Sequence, residues 1–226
     1  GLKPVYWCPE CQTALAEAEI EYEEDPCFSI YVKFDVKDDK GKLAALGADL
    51  SKTYFVIWTT TTWTLPGNMA ICVGPEYEYC VVKANGEYYI MAKELVESAM
   101  KAAGIEEYTV SENSLKGKDL EYKEYVPLFD CAKDIIAKQN KKAHFVVCDS
   151  YVTMSDGTGI VHIAPAFGED DANVGRNYDL PFVQFVNEKG ELTAETPFAG
   201  LFCKKADPEV LKDLEARGQL FDAPKF

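Results

Sequence analysis

The sequence predicts a β-rich α+β domain built around a barrel or a strongly curled sheet. Short apolar and β-branched runs recur along the chain, an Asn-Gly pair separates two of them, and only a few segments show helical periodicity. The chain of 226 residues is long enough to bury a substantial core. Its 47% hydrophobic and 27% charged residues are ordinary for a globular protein.

The strands are predicted from alternation and from short apolar runs. Residues 27–36 alternate and predict a half-buried strand, 38–42 predict a loop, and 53–58 predict a short buried strand. In the first strand, the apolar face carries Phe28, Ile30, Val32, Phe34 and Val36, and the opposite face carries Ser29, Tyr31, Lys33 and Asp35. Further strand-like runs cover 69–74, 78–84, 87–92 and 144–154. The pair Asn85-Gly86 predicts a hairpin.

Helices are predicted in three places. Residues 92–104 show an amphipathic stripe and stop at a glycine. A second helix is expected to open at Glu169, and a third at Asp207-Pro208. Residues 111–142 are polar and mixed, and they receive no assignment.

Charge and composition exclude several function classes. With 23 Lys and Arg against 38 Asp and Glu, the net charge is −15, which argues against a domain that holds nucleic acid by charge alone. No apolar run approaches the ~18–20 residues that span a bilayer, and the opening residues lack a signal-peptide pattern. The sequence therefore predicts a cytoplasmic protein with no membrane partner.

The eight cysteines are interpreted as free thiols. Cys72, Cys80 and Cys148 lie in apolar runs, where free cysteine behaves as a small hydrophobe, and a chain of this size needs no disulfide staples. Disulfides, which the even count allows, are the alternative. Cys8 and Cys11 have the spacing of half a zinc site, because zinc needs four ligands and the sequence holds no second Cys-x-x-Cys.

Residues 58–66, WTTTTWTLP, form a first block with chemical potential. Five threonines lie between positions 59 and 64. A hydroxyl both donates and accepts, so a loop of them could hold a carbonyl, a ribose hydroxyl and a water together. The alternative is a β-branched strand end without a ligand, because threonine favours strands.

Residues 157–171, GTGIVHIAPAFGEDD, form a second block. His162 lies in an apolar run, where most histidines simply pack in a core. Glu169, Asp170 and Asp171 would lie at the positive end of a helix, which favours acidic side chains. The alternative is that one carboxylate faces a cationic ligand from outside. The positively charged residues between positions 140 and 180 are few: Lys141, Lys142 and Arg176.

Other common sites are disfavoured. The GTG sequence lacks the pattern of a phosphate-binding loop, and no Ser-His-Asp order stands out. Two histidines in the chain argue against a His-based metal centre.

Together the two blocks resemble the editing domain inserted into class I aminoacyl-tRNA synthetases for isoleucine, valine and leucine. Both match the isoleucine form, since the valine and leucine forms typically carry Thr-Thr-Arg-Pro at the first block and this chain has no arginine there. The opening residues 6–15, YWCPECQTAL, and residues 179–182, DLPF, extend the resemblance over nearly the whole chain. Two positions depart from the pattern: Thr62 stands where many relatives have proline, and Phe167 where some have histidine.

The resemblance implies a fold and a set of roles. The fold would be an editing-domain β-barrel with a few peripheral helices over residues 20–226, with residues 1–19 as a Cys-x-x-Cys appendage. Asp171 would bind the α-ammonium group of the attached amino acid. Thr59, Thr60 and Thr61 would line the ester, the terminal adenosine and the attacking water. The implied substrate-binding residues are Trp58, Thr62, His162, Ala164, Phe167 and Asp170. Of these, His162 and Trp58 would shape the side-chain pocket.

The implied function is hydrolysis of mischarged Val-tRNA(Ile), with valyl-adenylate as a further candidate substrate and isoleucine excluded by size. This ester hydrolase activity would belong to an isoleucine-tRNA ligase, and this chain lacks the aminoacylation site. The implied partners are the acceptor end of tRNA(Ile) carrying valine and the rest of the synthetase, with its Rossmann catalytic domain.

Editing would need no cofactor. Zinc is expected only in the full-length protein, where a second cysteine pair beyond residue 226 would join Cys8 and Cys11. The alternatives to an editing hydrolase are a non-catalytic module that binds an amino acid or adenosine, and a structural insertion.

Overall fold

The computed structural model describes residues 3–25 and 29–223, so the predicted strand residues Cys27 and Phe28 lie outside it. The strands are β1 (Tyr6–Cys8), β2 (Thr13–Leu15), β3 (Ile30–Asp38), β4 (Thr53–Thr59), β5 (Ala70–Val73), β6 (Glu78–Ala84), β7 (Glu87–Ala92), β8 (Thr109–Val110), β9 (Leu115–Lys116), β10 (Glu124–Tyr125), β11 (Phe145–Cys148), β12 (Ile160–Ile163) and β13 (Leu220–Asp222). The α-helices are α1 (Val96–Ala102), α2 (Gly117–Leu120), α3 (Lys133–Gln139), α4 (Glu169–Asn177) and α5 (Cys203–Ala216). No helix in these ranges is long and apolar enough to cross a membrane.

Six strands close into a mixed barrel. In the order β3, β10, β11, β5, β12 and β4, each strand pairs with the next, and β4 pairs back with β3. The pairs β11–β5 and β12–β4 are parallel, and the other four are antiparallel. β7, β6 and β8 extend the sheet from β4, and β13 extends it from β3. The predicted β-rich class, with a barrel and a few helices, is confirmed.

The apolar residues predicted as strands fill the barrel and the space beneath α4. Along β5, Ile71 joins the cluster inside the barrel, whereas the alternate residue Cys72 packs outside it with Val174 of α4. A strand buried on both faces explains why this run of sequence is apolar throughout. The packing also fixes α4, and with it the second sequence block, against the barrel wall.

The strand β3 is buried on both faces, which corrects the prediction of a half-buried strand. Tyr31 and Lys33, on its more polar face, are only 8% and 9% exposed. The ring of Tyr31 lies 6.3 Å from that of Phe221, and Lys33 Nζ pairs with Glu87 at 3.1 Å. The strands β13 and β7 that supply this cover are distant in sequence, so local alternation could not reveal them.

The hairpin and the first helix follow the sequence signals closely. Asn85 and Gly86 have φ values of 52° and 76° and join β6 to β7, as an Asn-Gly pair predicts. Helix α1 is shorter than the predicted 92–104, because Lys93–Leu95 form a 3-10 turn before it. Gly104 (φ 67°) ends the segment, as expected.

Two predicted boundaries are wrong. The strand predicted over 144–154 is only β11, because Asp149 Oδ1 accepts a hydrogen bond from Tyr151 N and starts a turn. Helix α5 begins four residues before Asp207-Pro208, since the Phe202 carbonyl already accepts the N–H of Ala206. The unassigned stretch 111–142 contains β9, α2, β10 and α3.

The strands β1 and β2 form a separate two-stranded sheet. The indole of Trp7 on β1 donates to the Glu188 carbonyl at 2.8 Å and ties this hairpin to the rest of the fold. The boundary between an appendage over 1–19 and a domain over 20–226 stays a prediction.

Candidate functional site

A cavity of about 430 Å³ brings the two sequence blocks together. Its lining residues are Thr59, Thr61, Trp63, Thr64, His162, Phe167 and Asp171. The strands β4 and β12 are parallel neighbours, so the residues that follow their carboxyl ends meet at one edge of the barrel. The volume lies within the ~300–1,000 Å³ range of small-ligand sites.

Asp171 gives the cavity a half-buried acid. Its Oδ1 accepts the N–H of Ala164 at 2.8 Å, and no Lys, Arg or His nitrogen of the described residues lies within 4.0 Å of the carboxylate. Burial raises the pKa of Asp171 to about 6, although the Ala164 N–H acts in the opposite direction. A carboxylate in this state gains from a positively charged ligand that restores its ionised form.

A glycine leaves room for this carboxylate. Gly168 precedes α4 with φ +136°, and a Cβ built on it would lie 2.6 Å from Asp171 Oδ2. Any other residue would therefore push the acid out of its position, in addition to the strain of this backbone conformation.

Hydroxyl groups hold the threonine segment in shape. Thr61 N donates to Thr59 Oγ1 at 3.1 Å, and Thr64 Oγ1 donates to the Thr61 carbonyl at 2.9 Å. These contacts end β4 and start the 3-10 helix Thr62–Gly67. The hydroxyls of this segment are therefore partly used to fix the backbone that surrounds the cavity.

His162 is a neutral wall of the cavity. Its Nε2 lies 2.9 Å from Thr64 Oγ1, and its Nδ1 lies 2.8 Å from Asn68 Nδ2. Burial lowers the pKa of His162 to about 4, so the ring is uncharged near neutral pH. With both nitrogens engaged, this ring is a shape and hydrogen-bonding element rather than a base.

Five predicted site residues lie away from the cavity lining. Trp58 points to the other face of β4, where its indole donates to Ser29 Oγ, because successive residues of a strand alternate. Thr60 is half-buried outside the lining, and Asp170 is exposed on α4. Ala164 contributes its backbone N–H to Asp171 rather than a side chain. Thr62 is buried next to the cavity and contacts α5 instead.

The sequence analysis missed Trp63, Thr64 and Asn68. The ring of Trp63 meets that of Phe167 edge to face at 5.1 Å, so these two aromatics form one wall. Both Trp63 and Thr64 stand in the quoted threonine block, but nothing in the sequence showed which of its side chains turn inward.

The pair Thr62–Asp207 anchors the threonine segment to α5. The buried Thr62 Oγ1 donates to Asp207 Oδ1, and the Asp207 side chain is half-buried. This bond fixes the start of the 3-10 helix against α5. A proline at position 62 could not make this contact.

Replacing Asp207 with alanine is expected to lower the free energy of unfolding by about 1–3 kcal/mol. The change leaves the buried Thr62 hydroxyl without its acceptor, and a buried unpaired group costs ~1–3 kcal/mol. Urea unfolding measures the effect. The matched control is Asp213→Ala on the same helix, which removes only a surface pair with Arg217, worth ~0.3–0.5 kcal/mol. Equal losses in the two variants would contradict the anchoring role.

Cys8 and Cys11 face each other across the turn between β1 and β2. Cys11 N lies 3.4 Å from Cys8 Sγ, and this hydrogen bond lowers the pKa of the Cys8 thiol. Within residues 3–25 and 29–223 no group of three or more His, Cys, Asp or Glu side chains could hold a metal. A zinc site built on this pair stays a prediction. The seven described cysteines are free, as predicted, and Cys27 lies outside the described residues.

Comparisons with known proteins agree on one family. The family model described as tRNA synthetases class I (I, L, M and V) matches residues 1–126. The isoleucine-tRNA ligase of Caldicellulosiruptor saccharolyticus is 48% identical over 227 residues, which cover 100% of this chain and 24% of the relative. That of Bacillus licheniformis is 46% identical over 222 residues, 97% of this chain and 22% of the relative. The chain thus spans about a quarter of the length of these curated relatives.

A solved structure supports the fold. The crystal structure of the cytosolic leucyl-tRNA synthetase editing domain of P. knowlesi superposes with a TM-score of 0.64 and covers 88% of this chain and 97% of its own. At 13% sequence identity, the likeness concerns the fold.

Proposed function

Because this chain belongs to the class I tRNA synthetases of the isoleucine, leucine, methionine and valine group, we propose that it edits for an isoleucine-tRNA ligase. It hydrolyses valine from mischarged tRNA(Ile) and excludes isoleucine by size. One observation carries the proposal: a half-buried carboxylate without a described cationic partner faces a cavity lined by threonine hydroxyls and aromatic rings.

The need for such a site follows from the limits of hydrophobic recognition. A pocket that accepts isoleucine cannot strongly reject valine, because one methylene is worth only ~1–3 kcal/mol, a limit for which isoleucine-tRNA ligases are themselves the standard example. A second cavity that admits only the smaller side chain reverses the selection. Here the rings of His162, Trp63 and Phe167 supply rigid walls for that purpose.

Asp171 orients the substrate. The α-ammonium group of a valyl ester makes a charge-assisted bond to the Asp171 carboxylate, which is strong in a site of low polarity. The threonine hydroxyls then lie on the side of the ester and the terminal ribose. Thr59 and Thr61 line the cavity and are the candidates to hold the ester carbonyl and the attacking water, whereas Thr60 lies outside the lining.

No general base emerges among the lining side chains. The His162 ring is held by two hydrogen bonds and stays neutral, and Asp171 is committed to the ammonium group. The rate therefore arises mainly from positioning the water against the ester, with a ribose hydroxyl of the substrate assisting proton transfer. The Cys8–Cys11 pair takes no part in these steps.

The partners follow from the charge. At a net charge of −15, this chain contributes little to the affinity for tRNA, so other parts of the synthetase must hold the tRNA and deliver its acceptor end. The isolated chain is accordingly expected to act on Val-tRNA(Ile) with a high KM.

Hydrolysis of charged tRNAs by the full-length synthetase tests the proposal. Val-tRNA(Ile) is expected to be deacylated with a kcat/KM at least ~10–200-fold above that of Ile-tRNA(Ile), the range that one methylene supports in a size-limited pocket. Release of labelled amino acid measures both rates. Binding of a valyl-adenosine analogue without hydrolysis of Val-tRNA(Ile) would contradict the proposal and favour a non-catalytic binding module.

A further inference from the structure

A chain of buried polar groups runs from the barrel interior to the cavity. Tyr125, on β10, bonds Asn68 Oδ1 at 2.5 Å, and Asn68 Nδ2 lies 2.8 Å from His162 Nδ1. The chain continues from His162 Nε2 to Thr64 Oγ1 at 2.9 Å, and from there to the Thr61 carbonyl at 2.9 Å. Tyr125, at the start of this chain of hydrogen bonds, is 1% exposed and is not among the residues that line the cavity.

The orientation of the Asn68 amide is fixed by its neighbours. Asn68 Nδ2 donates to the Ala70 carbonyl at 2.9 Å, and a flipped amide would place two oxygens against each other there. The amide nitrogen therefore faces Ala70 and His162, and the amide oxygen faces the Tyr125 hydroxyl. Within the described residues, this hydroxyl is the one donor to Asn68 Oδ1.

The direction of every later bond follows from this orientation. Because Asn68 donates to His162 Nδ1, that nitrogen carries no proton, and the neutral ring must carry its proton on Nε2. The Nε2–H then donates to Thr64 Oγ1, and the Thr64 hydroxyl proton is left to bond the Thr61 carbonyl. The opposite tautomer would draw the Thr64 proton to His162 and release Thr61.

We propose that Tyr125 is a positioning residue of the editing site: together with the Ala70 carbonyl, its hydroxyl holds the Asn68 amide that selects the Nε2–H tautomer of His162, and so keeps Thr61 in place. The predicted effect on catalysis rests on the proposed function. The predicted tautomer of His162 concerns the free protein and does not depend on any substrate.

The side chains around Tyr125 hold its hydroxyl in position to donate to Asn68 Oδ1. The strand β10 lies between β3 and β11 in the barrel, and the Tyr125 ring packs edge to face against Phe34 at 5.2 Å and His144 at 5.8 Å. His144 Nε2 also bonds the Asn68 carbonyl at 3.1 Å, which holds the Asn68 backbone on the same side. Packing of this kind leaves the phenol with one orientation.

The first measurement is the tautomer itself. Nitrogen-15 NMR of the 226-residue chain distinguishes protonated from unprotonated ring nitrogens, and the chain contains only two histidines, which a His144→Gln sample assigns. In the wild-type chain, His162 is expected as the Nε2–H form. A protonated Nδ1 in the wild-type chain would overturn the proposal without any variant at position 125.

The second measurement compares Tyr125→Phe with Tyr79→Phe. Tyr79 is equally buried at 1% exposure, and its hydroxyl bonds Gly74 N and Gly159 O away from the cavity lining, so its loss matches the change in packing and stability. In Tyr125→Phe, Asn68 Oδ1 loses its donor while Nδ2 keeps the Ala70 carbonyl, so the amide is held on one side only and its bond to His162 Nδ1 weakens. His162 is then expected to lose its single tautomer, and kcat for Val-tRNA(Ile) hydrolysis by the full-length synthetase is expected to fall about tenfold with KM little changed. Tyr79→Phe should retain both properties.

The outcomes distinguish the role of Tyr125 from the proposed editing function. An unchanged tautomer in Tyr125→Phe, or equal losses of kcat in the two variants, would overturn the role of Tyr125. A wild-type synthetase that fails to hydrolyse Val-tRNA(Ile) would instead contradict the proposed function, whatever tautomer His162 adopts.

Discussion

Asparagine in place of Asp171 is expected to abolish most hydrolysis of Val-tRNA(Ile) and, at the same time, to stabilise the fold. The substitution keeps the shape of the side chain and an oxygen that can accept the Ala164 N–H. It removes the charge that would hold the ammonium group, and hydrogen bonds to charged groups are worth ~1.5–3 kcal/mol, or about 10–150-fold in rate. Aminoacylation should be retained because it occurs elsewhere in the synthetase.

The gain in stability follows from the raised pKa of Asp171. Burial moves this pKa from 3.8 to about 6, so between these values the folded protein binds more protons than the unfolded chain. The free energy of unfolding therefore falls as the pH rises through this window, and at pH 7 the ionised carboxylate destabilises the fold by up to about 3 kcal/mol. An uncharged amide avoids this effect, at some loss for its own burial, and should gain about 1–2 kcal/mol.

Urea unfolding tests the expected gain in stability, and deacylation assays on the same variants test the expected loss of editing. Glu169→Gln is the matched control, since it removes an exposed charge from the same first turn of α4. In the wild-type protein, hydrolysis should also decline as the pH falls through about 6, where the carboxylate of the free protein becomes protonated. Retained editing by Asp171→Asn would contradict the assignment of Asp171 to the α-ammonium group. A loss of stability would show that the Asp171 carboxylate has a cationic partner in the free protein.

The opposed effects of one substitution are typical of functional sites. A half-buried acid without a described cationic partner is unfavourable in the free protein and becomes favourable only when a ligand supplies the missing charge. A capping role for Asp171, the simpler interpretation of its sequence context, predicts the reverse, because removal of a capping charge destabilises a helix.

The sequence carried enough information to bring the two blocks into one site. Five threonines at a strand end and three acids after Pro165 are local patterns, and each lies where a strand stops. Because β4 and β12 are parallel neighbours, these ends coincide in the fold. The barrel class was also predictable, since short strands without long helices have few other ways to bury their faces.

Which side chains turn into the cavity could not be predicted from the sequence. Trp58 and Trp63 are equally aromatic and lie in the same block, but the alternation of β4 turns Trp58 away and the 3-10 helix turns Trp63 inward. The orientation of each ring depends on where β4 ends and the 3-10 helix begins, and the threonine-rich sequence does not mark that boundary. Tyr125 was hidden for another reason: it lies on a two-residue strand within an unassigned stretch, 57 positions from the Asn68 that it contacts.

Removing the His162 ring is expected to convert a selective cavity into a permissive one. His162→Ala opens the wall on the side of the bound amino acid, and the additional methylene of isoleucine is then accommodated. Since one methylene accounts for ~1–3 kcal/mol of discrimination, the preference for Val-tRNA(Ile) over Ile-tRNA(Ile) should fall by about 10–200-fold. The rate on valine should also decrease, because Thr64 loses the donor that orients its hydroxyl.

The ratio of kcat/KM for the two tRNAs measures this loss of selectivity independently of any general destabilisation. His144→Ala serves as control: it removes the other imidazole of the chain, which contacts the Asn68 carbonyl but lies outside the cavity lining, so both rates should change together and their ratio should stay the same. Phe167→Ala opens the aromatic wall that Phe167 forms with Trp63, and it tests whether this wall rejects isoleucine. If Phe167→Ala relaxed the ratio and His162→Ala did not, size would be measured against the aromatic pair, and His162 would act only through its hydrogen bonds to Thr64 and Asn68. If His162→Ala alone relaxed it, the imidazole would be both the wall that rejects isoleucine and the group that fixes the threonine segment, so that a single buried ring couples specificity to rate.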